Sequence, residues 1–290
     1  MDFSDPHPGS HEVQIPIRGK SKGSKVFLSP LRYPGGKSRL AATLLDLFPS
    51  FSTYREPFLG GASVFLRLRS GQIGSEWELS DRDPRLVNFW KHVQVSPELL
   101  IEEILRIRGV FSTGRELFEE VGTPSLEPLT DAAHYFLRNR VSFSGNQSTG
   151  GYSEQAFQQR LTDTSIEKIR EASVLMQGVR IFVRDYSPAL TDPGKDVFLF
   201  LDPPYFAAKS SRLYGTKGLL HSNFDHARFV DTLLKSEHRW LVTYDDSEQI
   251  RAYFGNDPRI KIRKLSMSYS SSNLHGANSR MGHEIVVTNF

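Results

Sequence analysis

The chain has 290 residues, a formal net charge of +3, 38% hydrophobic residues including 20 phenylalanines, and no cysteine. That apolar content supports one large folded domain, or one domain with an insertion, and argues against wholesale disorder. The absence of cysteine excludes disulfides, thiolate catalysis and cysteine-ligated zinc, and the mild basic balance is compatible with a nucleic-acid partner without requiring one. No apolar run is long enough to span a bilayer and no signal-peptide pattern is present, so the expected location is the cytoplasm and no membrane partner is expected.

Residues 1–25 are polar and carry RGKSKGSK at 18–25, the composition of a flexible basic arm. From Phe27 the chain becomes patterned. SPLRYPGGKS precedes the amphipathic run RLAATLLDLF, in which Leu40, Leu44, Leu45 and Phe48 share one helical face. TYREPF and WELSD read as short strands separated by the helical stretch ASVFLRLR. Ser96-Pro97 opens the next helix, with serine at the N-cap and proline at the first helical position.

Over 96–175 the strand–helix alternation disappears. HYFLRNR and a capping box at Thr164-x-x-Glu167 flank the Gly/Ser loop SFSGNQSTGGYS, which predicts an inserted, mainly helical subdomain. Alternation then resumes. VRIFVRDY, DVFLFLD and RWLVTYDD are apolar strands, FDHARFVDTLLKS is a helix between two of them, and Asp246-x-x-Gln249 caps another. KIRKLSMSYS and HEIVVTNF close the chain as an antiparallel hairpin at the sheet edge. The fold class is α/β, with a doubly wound sheet.

Three motifs sit where strands give way to turns. YPGGKS is not a phosphate loop, because the glycine that spacing requires five residues before Gly36 is Leu31. Gly35 and Gly36 still allow a tight approach at a helix start, with Lys37 facing an anionic ligand. In EPFLGGAS, adjacent glycines at a strand-to-helix turn let a ligand near the backbone, and Asp81, about 20 residues on, ends the next strand where ribose hydroxyls are accepted. Asp185 and Tyr186 end a further strand and are candidates for holding an adenosine.

LDPPYF is the most specific feature. The prolines cannot extend a sheet ladder, so the buried strand stops at Asp202. A carboxylate beside the main-chain carbonyl of Pro203 is suited to accept both hydrogens of an exocyclic amine, while Tyr205 stacks on the base that bears it. No second acid or histidine is placed beside Asp202 by the sequence.

LRYPGGKS, EPFLGGASVF, LSDRDP, LDPPYF and FDHARF occur in the order seen in Dam-like (D12 class) DNA adenine N6-methyltransferases, which the chain resembles over about residues 28–290. Members of that family usually carry G-x-G after the phenylalanine, whereas here Phe58 is followed by Leu59-Gly60-Gly61. The resemblance implies a Rossmann-like methyltransferase sheet over 26–95 and 176–290 that binds S-adenosyl-L-methionine, with 96–175 as the target-recognition insertion. It implies cofactor contacts from Tyr33, Lys37 (near the cofactor's carboxylate), Phe58, Gly60, Gly61, Asp81 and Asp202, and catalysis by Asp202, Pro203 and Tyr205 on a flipped-out adenine. Arg138, Asn139, Arg140, Asn146 and Gln147 are the candidate DNA contacts.

The expected reaction is transfer of the methyl group of S-adenosyl-L-methionine to N6 of adenine in double-stranded DNA, without a metal ion. A cognate restriction endonuclease is a candidate partner. The alternatives are an inactive DNA-binding protein of the same fold, or a methyltransferase acting on cytosine N4 or RNA adenine. Intact Asp202, Tyr205, Lys37 and Asp81 count against the first, and aspartate rather than serine at position 202 counts against the cytosine reading.

Overall fold

The computed structural model describes residues 14–15, 28–33, 35–71, 76–145, 151–206, 224–255, 257–266 and 283–290. A two-residue strand β1 (Gln14–Ile15) is followed by a 3-10 turn at Lys37–Arg39, α1 (Ala41–Leu45), β2 (Thr53–Glu56), α2 (Ser63–Arg69) and β3 (Glu76–Asp81). Six helices come next: α3 (Pro84–Val95), α4 (Pro97–Val110), α5 (Gly114–Glu120), α6 (Pro128–Val141), α7 (Glu154–Arg160) and α8 (Asp163–Met176). The chain returns to the sheet with β4 (Arg180–Val183), α9 (Ser187–Thr191), β5 (Val197–Leu201), α10 (His226–Leu234), β6 (Arg239–Asp245), α11 (Glu248–Phe254), β7 (Lys261–Ser266) and β8 (His283–Thr288).

The strands form one mixed sheet in the order β1-β7-β8-β6-β5-β2-β3-β4. From β6 to β4 all neighbours are parallel, while β8 runs antiparallel to both β6 and β7. The chain winds outward through β2, β3 and β4, then crosses back to place β5 on the other side of β2. The switch point lies between the carboxyl ends of β2 and β5, where such sheets open a crevice.

β5 shows why the run VFLFL is apolar throughout: all five residues are buried. Phe198 and Phe200 face one layer of the core, where Phe48 packs edge-on to Phe198 at 4.6 Å, and Val197, Leu199 and Leu201 face the other. A strand covered on both faces cannot afford alternation. It ends before Asp202, as the proline pair predicts.

Several local expectations are corrected. Gln14 and Ile15 pair with Lys264 and Leu265 of β7, so the basic arm is not free throughout. The capping box of α8 is Thr162 with Ser165, two residues before the expected Thr164. Ser247, not Asp246, caps α11, and Asp246 instead pairs with Arg251 at 2.6 Å. Ser96 occupies the N-cap of α4 without a side-chain capping bond. The amphipathic run after Lys37 is a 3-10 turn and a short helix rather than one continuous helix.

The helical segment is tied to the segment preceding Lys37 by one side chain. Asn139, 1% exposed on α6, accepts from the Arg32 amide at 2.8 Å and donates to the carbonyls of Arg32 (2.7 Å) and Gly145 (2.9 Å). Gly145 sits at φ +76, and a Cβ there would lie 2.4 Å from the Arg32 carbonyl oxygen, so only glycine lets the two segments meet. Asn139→Ala strands one buried and two partly buried backbone groups and should destabilise the protein by about 2–3 kcal/mol. Denaturant titration checks this; an unchanged midpoint would show that the clamp carries no stability.

Candidate active site

The switch point gathers residues from segments far apart in the chain. Asp202 leaves the end of β5. Its Oδ1 accepts from Thr243 Oγ1 of β6 at 2.7 Å, and Lys37 Nζ lies 2.9 Å from Oδ1 and 3.0 Å from Oδ2. The ammonium also donates to the Gly35 carbonyl at 2.9 Å and stands 4.7 Å over the ring of Tyr205. Lys37 is only 4% exposed, so its ammonium is a buried cation paired with the partly buried Asp202. Pro203 is buried beside it.

Tyr205 is half-buried and tilts against Tyr244 at 6.2 Å. Its hydroxyl is pushed well above the ordinary tyrosine range by burial first, then by the carboxylates of Asp202 and Glu284. Glu284 is buried at the start of β8, with Oε2 4.0 Å from Lys37 Nζ. Because β8 is antiparallel, its first residues lie at the same edge as the last residues of the parallel strands; Glu284 is in register with Asp245. The second acid that sequence reading did not place beside Asp202 is here.

Glu56, the last residue of β2, was also not singled out. It accepts from the Tyr54 hydroxyl at 2.6 Å, its one hydrogen-bond partner among the described residues. Burial pushes its carboxyl up to about 8, with Asp202 adding to the rise against the lowering effect of Tyr54. Asp81, at the end of β3, accepts from the Gly60 amide (3.1 Å) and the Asp83 amide (3.0 Å). Burial nevertheless lifts it to about 6.

The turn between β2 and α2 is shaped by left-handed backbone at Gly60 (φ +44) and Ala62 (φ +52). Left-handed positions alternate as in a G-x-G turn, with alanine in the second place, where its Cβ costs about 1–2 kcal/mol. The Trp90 indole holds the turn from below, donating to the Gly60 carbonyl at 3.0 Å. Tyr33 lies across it: a Cβ on Gly60 would come within 3.0 Å of the Tyr33 ring, and one on Gly61 within 3.1 Å of Tyr33 Cβ. Phe58 stacks on Tyr186 at 5.8 Å, in a cluster with Phe224 and Phe229. Asp185 accepts from the amide (3.1 Å) and hydroxyl (2.7 Å) of Ser187, closing the start of α9.

The candidate DNA contacts separate into different environments. Arg138 donates to the Phe118 carbonyl at 2.5 Å and lies 3.4 Å over the Phe118 ring, a packing role. Asn139 is the buried clamp described above and does not face outward. Arg140 is 5% exposed, yet its Nε and Nη2 have no hydrogen-bond partner among the described residues. Burial first, then Arg32 and Arg160, lower its guanidinium to about 10. Asn146 and Gln147 lie outside the described residues. Among the described residues, no cluster of three or more His, Asp or Glu side chains could hold a metal ion, and no helix is long and apolar enough to cross a membrane.

Known methylases are similar to this chain. A modification methylase, StsI, from Streptococcus sanguinis is 21% identical over 93% of this chain, which spans only 44% of that protein. The type II methyltransferase M1.LlaDCHI from Lactococcus lactis subsp. cremoris is 22% identical over 92% of this chain and 97% of its own length. A DNA adenine methylase from Vibrio cholerae is 23% identical over 60% of this chain and 64% of its own. The model of the D12 class N6 adenine-specific DNA methyltransferases matches residues 33–268, a span that contains Tyr33, Lys37, Asp81 and Asp202. The chain therefore belongs to the D12 class of N6 adenine-specific DNA methyltransferases.

Proposed function

We propose that this protein transfers the methyl group of S-adenosyl-L-methionine to N6 of an adenine turned out of double-stranded DNA at a specific sequence. The observation that carries the reading is the placement of Asp202 at the switch point, held by Thr243 and Lys37 beside the Gly60–Gly61 turn. Two carboxyls at that crevice, Glu56 and Asp81, are held up by burial and have no cationic partner among the described residues. A donor bearing positive charge fits such a crevice, because it would favour the charged form of both acids.

When bound, the donor supplies an electrophilic methyl group on a positively charged sulfur. Phe58, Gly60, Gly61, Asp81, Asp185 and Tyr186 are the residues that would hold it, with Tyr33 as the lid over the glycine turn. On the base side, N6 is a poor nucleophile because its lone pair is delocalised into the ring. The Asp202 carboxylate and the Pro203 carbonyl would accept its two hydrogens, drawing the nitrogen toward tetrahedral geometry and stabilising the positive charge that develops there. Once methylated, N6 would have one proton to lose, and the Asp202 carboxylate, already accepting one of its hydrogens, would take it and pass it to water. Tyr205 supplies the face on which the extruded base stacks. Alignment of nucleophile, methyl and leaving group is the main task of the chain.

On the DNA side, Arg140 carries two buried donors with no hydrogen-bond partner among the described residues, next to Arg32 and Arg160. That is a site for a phosphate or a base edge. A cognate restriction endonuclease fits the setting of a sequence-specific adenine methyltransferase and would be tested separately, by co-purification.

Asp202→Ala should reduce methyl transfer by about a thousandfold or more and should also lower the melting temperature, because it leaves the buried Lys37 ammonium without its nearest carboxylate. Turnover near that of the wild type would remove Asp202 from the mechanism. Arg140→Ala should weaken DNA binding and lower the slope of log affinity against log salt by about 1 if the contact is to phosphate. Salt titrations with duplex DNA give the answer, and an unchanged slope together with unchanged affinity excludes the contact.

Glu56 yields a prediction on pH. Its pKa rises from 4.5 in the unfolded chain to about 8 in the folded one, so the folded chain keeps a proton that the unfolded chain releases. This stabilising contribution is complete below about pH 4.5 and is lost as pH rises toward 8. Glu56→Gln, which mimics the protonated acid, should therefore gain stability relative to wild type between pH 5 and 8. Melting curves of both proteins across that range should diverge; parallel curves would show that Glu56 is ionised throughout.

A further inference from the structure

We infer that Glu284 is a positioning residue that takes over the ammonium of Lys37 when the target base engages Asp202. This rests on the methyl-transfer reading above and extends it to a residue on the final strand.

The geometry begins with a conflict. Lys37 Nζ lies within 3.0 Å of both Asp202 oxygens, and Oδ1 also accepts from Thr243. Lys37 and Thr243 already fill most of the acceptor sites of the carboxylate that must receive an exocyclic amine. A buried ammonium cannot simply be released from its partner, since an uncompensated charge in the interior is strongly unfavourable. Lys37 therefore needs a second carboxylate within a short movement, one that does not itself face the base.

Glu284 meets that requirement. It is buried, and its Oε2 is 4.0 Å from Lys37 Nζ, so a shift of about 1 Å would bring the pair to hydrogen-bond distance. Its carboxylate also acts on the Tyr205 hydroxyl, the far end of the ring over which Lys37 sits. Lys37 is thus bracketed by Asp202 at the end of β5 and Glu284 at the start of β8, with the Tyr205 ring beneath it. The antiparallel direction of β8 makes this possible, because a parallel strand in its place would present its carboxyl-terminal residues at this edge. The exchange moves an ion pair from one carboxylate to the other; no covalent bond changes and no proton is transferred.

The test uses the full chain and duplexes carrying its mapped recognition site, with either adenine or purine at the target position. Purine lacks the exocyclic amine and makes no demand on Asp202. Glu284→Gln should slow single-turnover methylation of the adenine duplex by about 100-fold and weaken binding of the adenine duplex in the presence of cofactor. Affinity for the purine duplex should stay within about threefold of wild type. A rate within about threefold of wild type, or equal loss of affinity for both duplexes, would overturn the proposal, the latter by marking Glu284 as purely structural. If Glu284→Gln does not fold, Glu284→Asp, which retracts the carboxylate by one methylene, is measured against the same two duplexes and read by the same criterion. If the wild-type protein methylates no DNA, the methyl-transfer reading fails and takes this proposal with it; if it does and Glu284→Gln matches it, this proposal alone fails.

Discussion

The burial of one ammonium organises this site. Lys37 is removed from water, so the fold must surround it with acceptors, and it does so from segments far apart in the chain: Gly35, Asp202 and Glu284. That requirement ties the segment before α1 to the ends of β5 and β8. The same segment is gripped at Arg32 by Asn139, on a helix inserted between β3 and β4. A stretch of chain with almost no regular structure is thereby fixed at both ends, and Tyr33 between them is laid across the turn at Gly60. Catalytic crevice and helical insertion share one short connection.

The protein buries two sets of ionisable groups in different places, each without an opposite charge among the described residues. Around the switch point, Glu56 and Asp81 are acids kept from ionising easily by burial. On α6, Arg140 is a guanidinium with two donors unpartnered among the described residues and other arginines for neighbours. Each arrangement is unfavourable by itself, and each is relieved by a ligand of opposite sign. A small cationic donor and a polyanionic substrate are the two ligands that the proposed reaction requires.

Much of this was legible from residues whose types are constrained by local chemistry. Asp202 was placed by the prolines that stop β5, and Gly60 and Asp81 by the strand-to-helix turn and the strand end that follow one another there. Glu284 was not, because a lone acid at the start of a strand marks nothing until the strand is known to run antiparallel at that edge. Glu56 escaped for a related reason: its environment is made by Tyr54 and by a neighbouring strand 140 or more residues away. Arg138 and Arg140 lie two apart on α6 and so project in different directions, but a helical wheel does not say which one meets Phe118. Asn139 looked like a surface contact and is a clamp, since its three partners come from the Arg32 and Gly145 backbones. Cap positions missed by one or two residues where several Ser, Thr and Asp compete, as at Thr162 and Ser247.

The pairing of Gln14 and Ile15 with β7 bears on how the protein behaves at high concentration. Those two residues cover part of a strand that would otherwise end the sheet with its amides and carbonyls unpaired, the kind of surface on which chains add to one another edge to edge. A shortened version starting at Leu28 would expose that rim. What would then keep separate molecules from joining is the sequence KIRKLS itself: Lys261 and Arg263 put like charges along the uncovered strand, so its colloidal behaviour should come to depend on ionic strength.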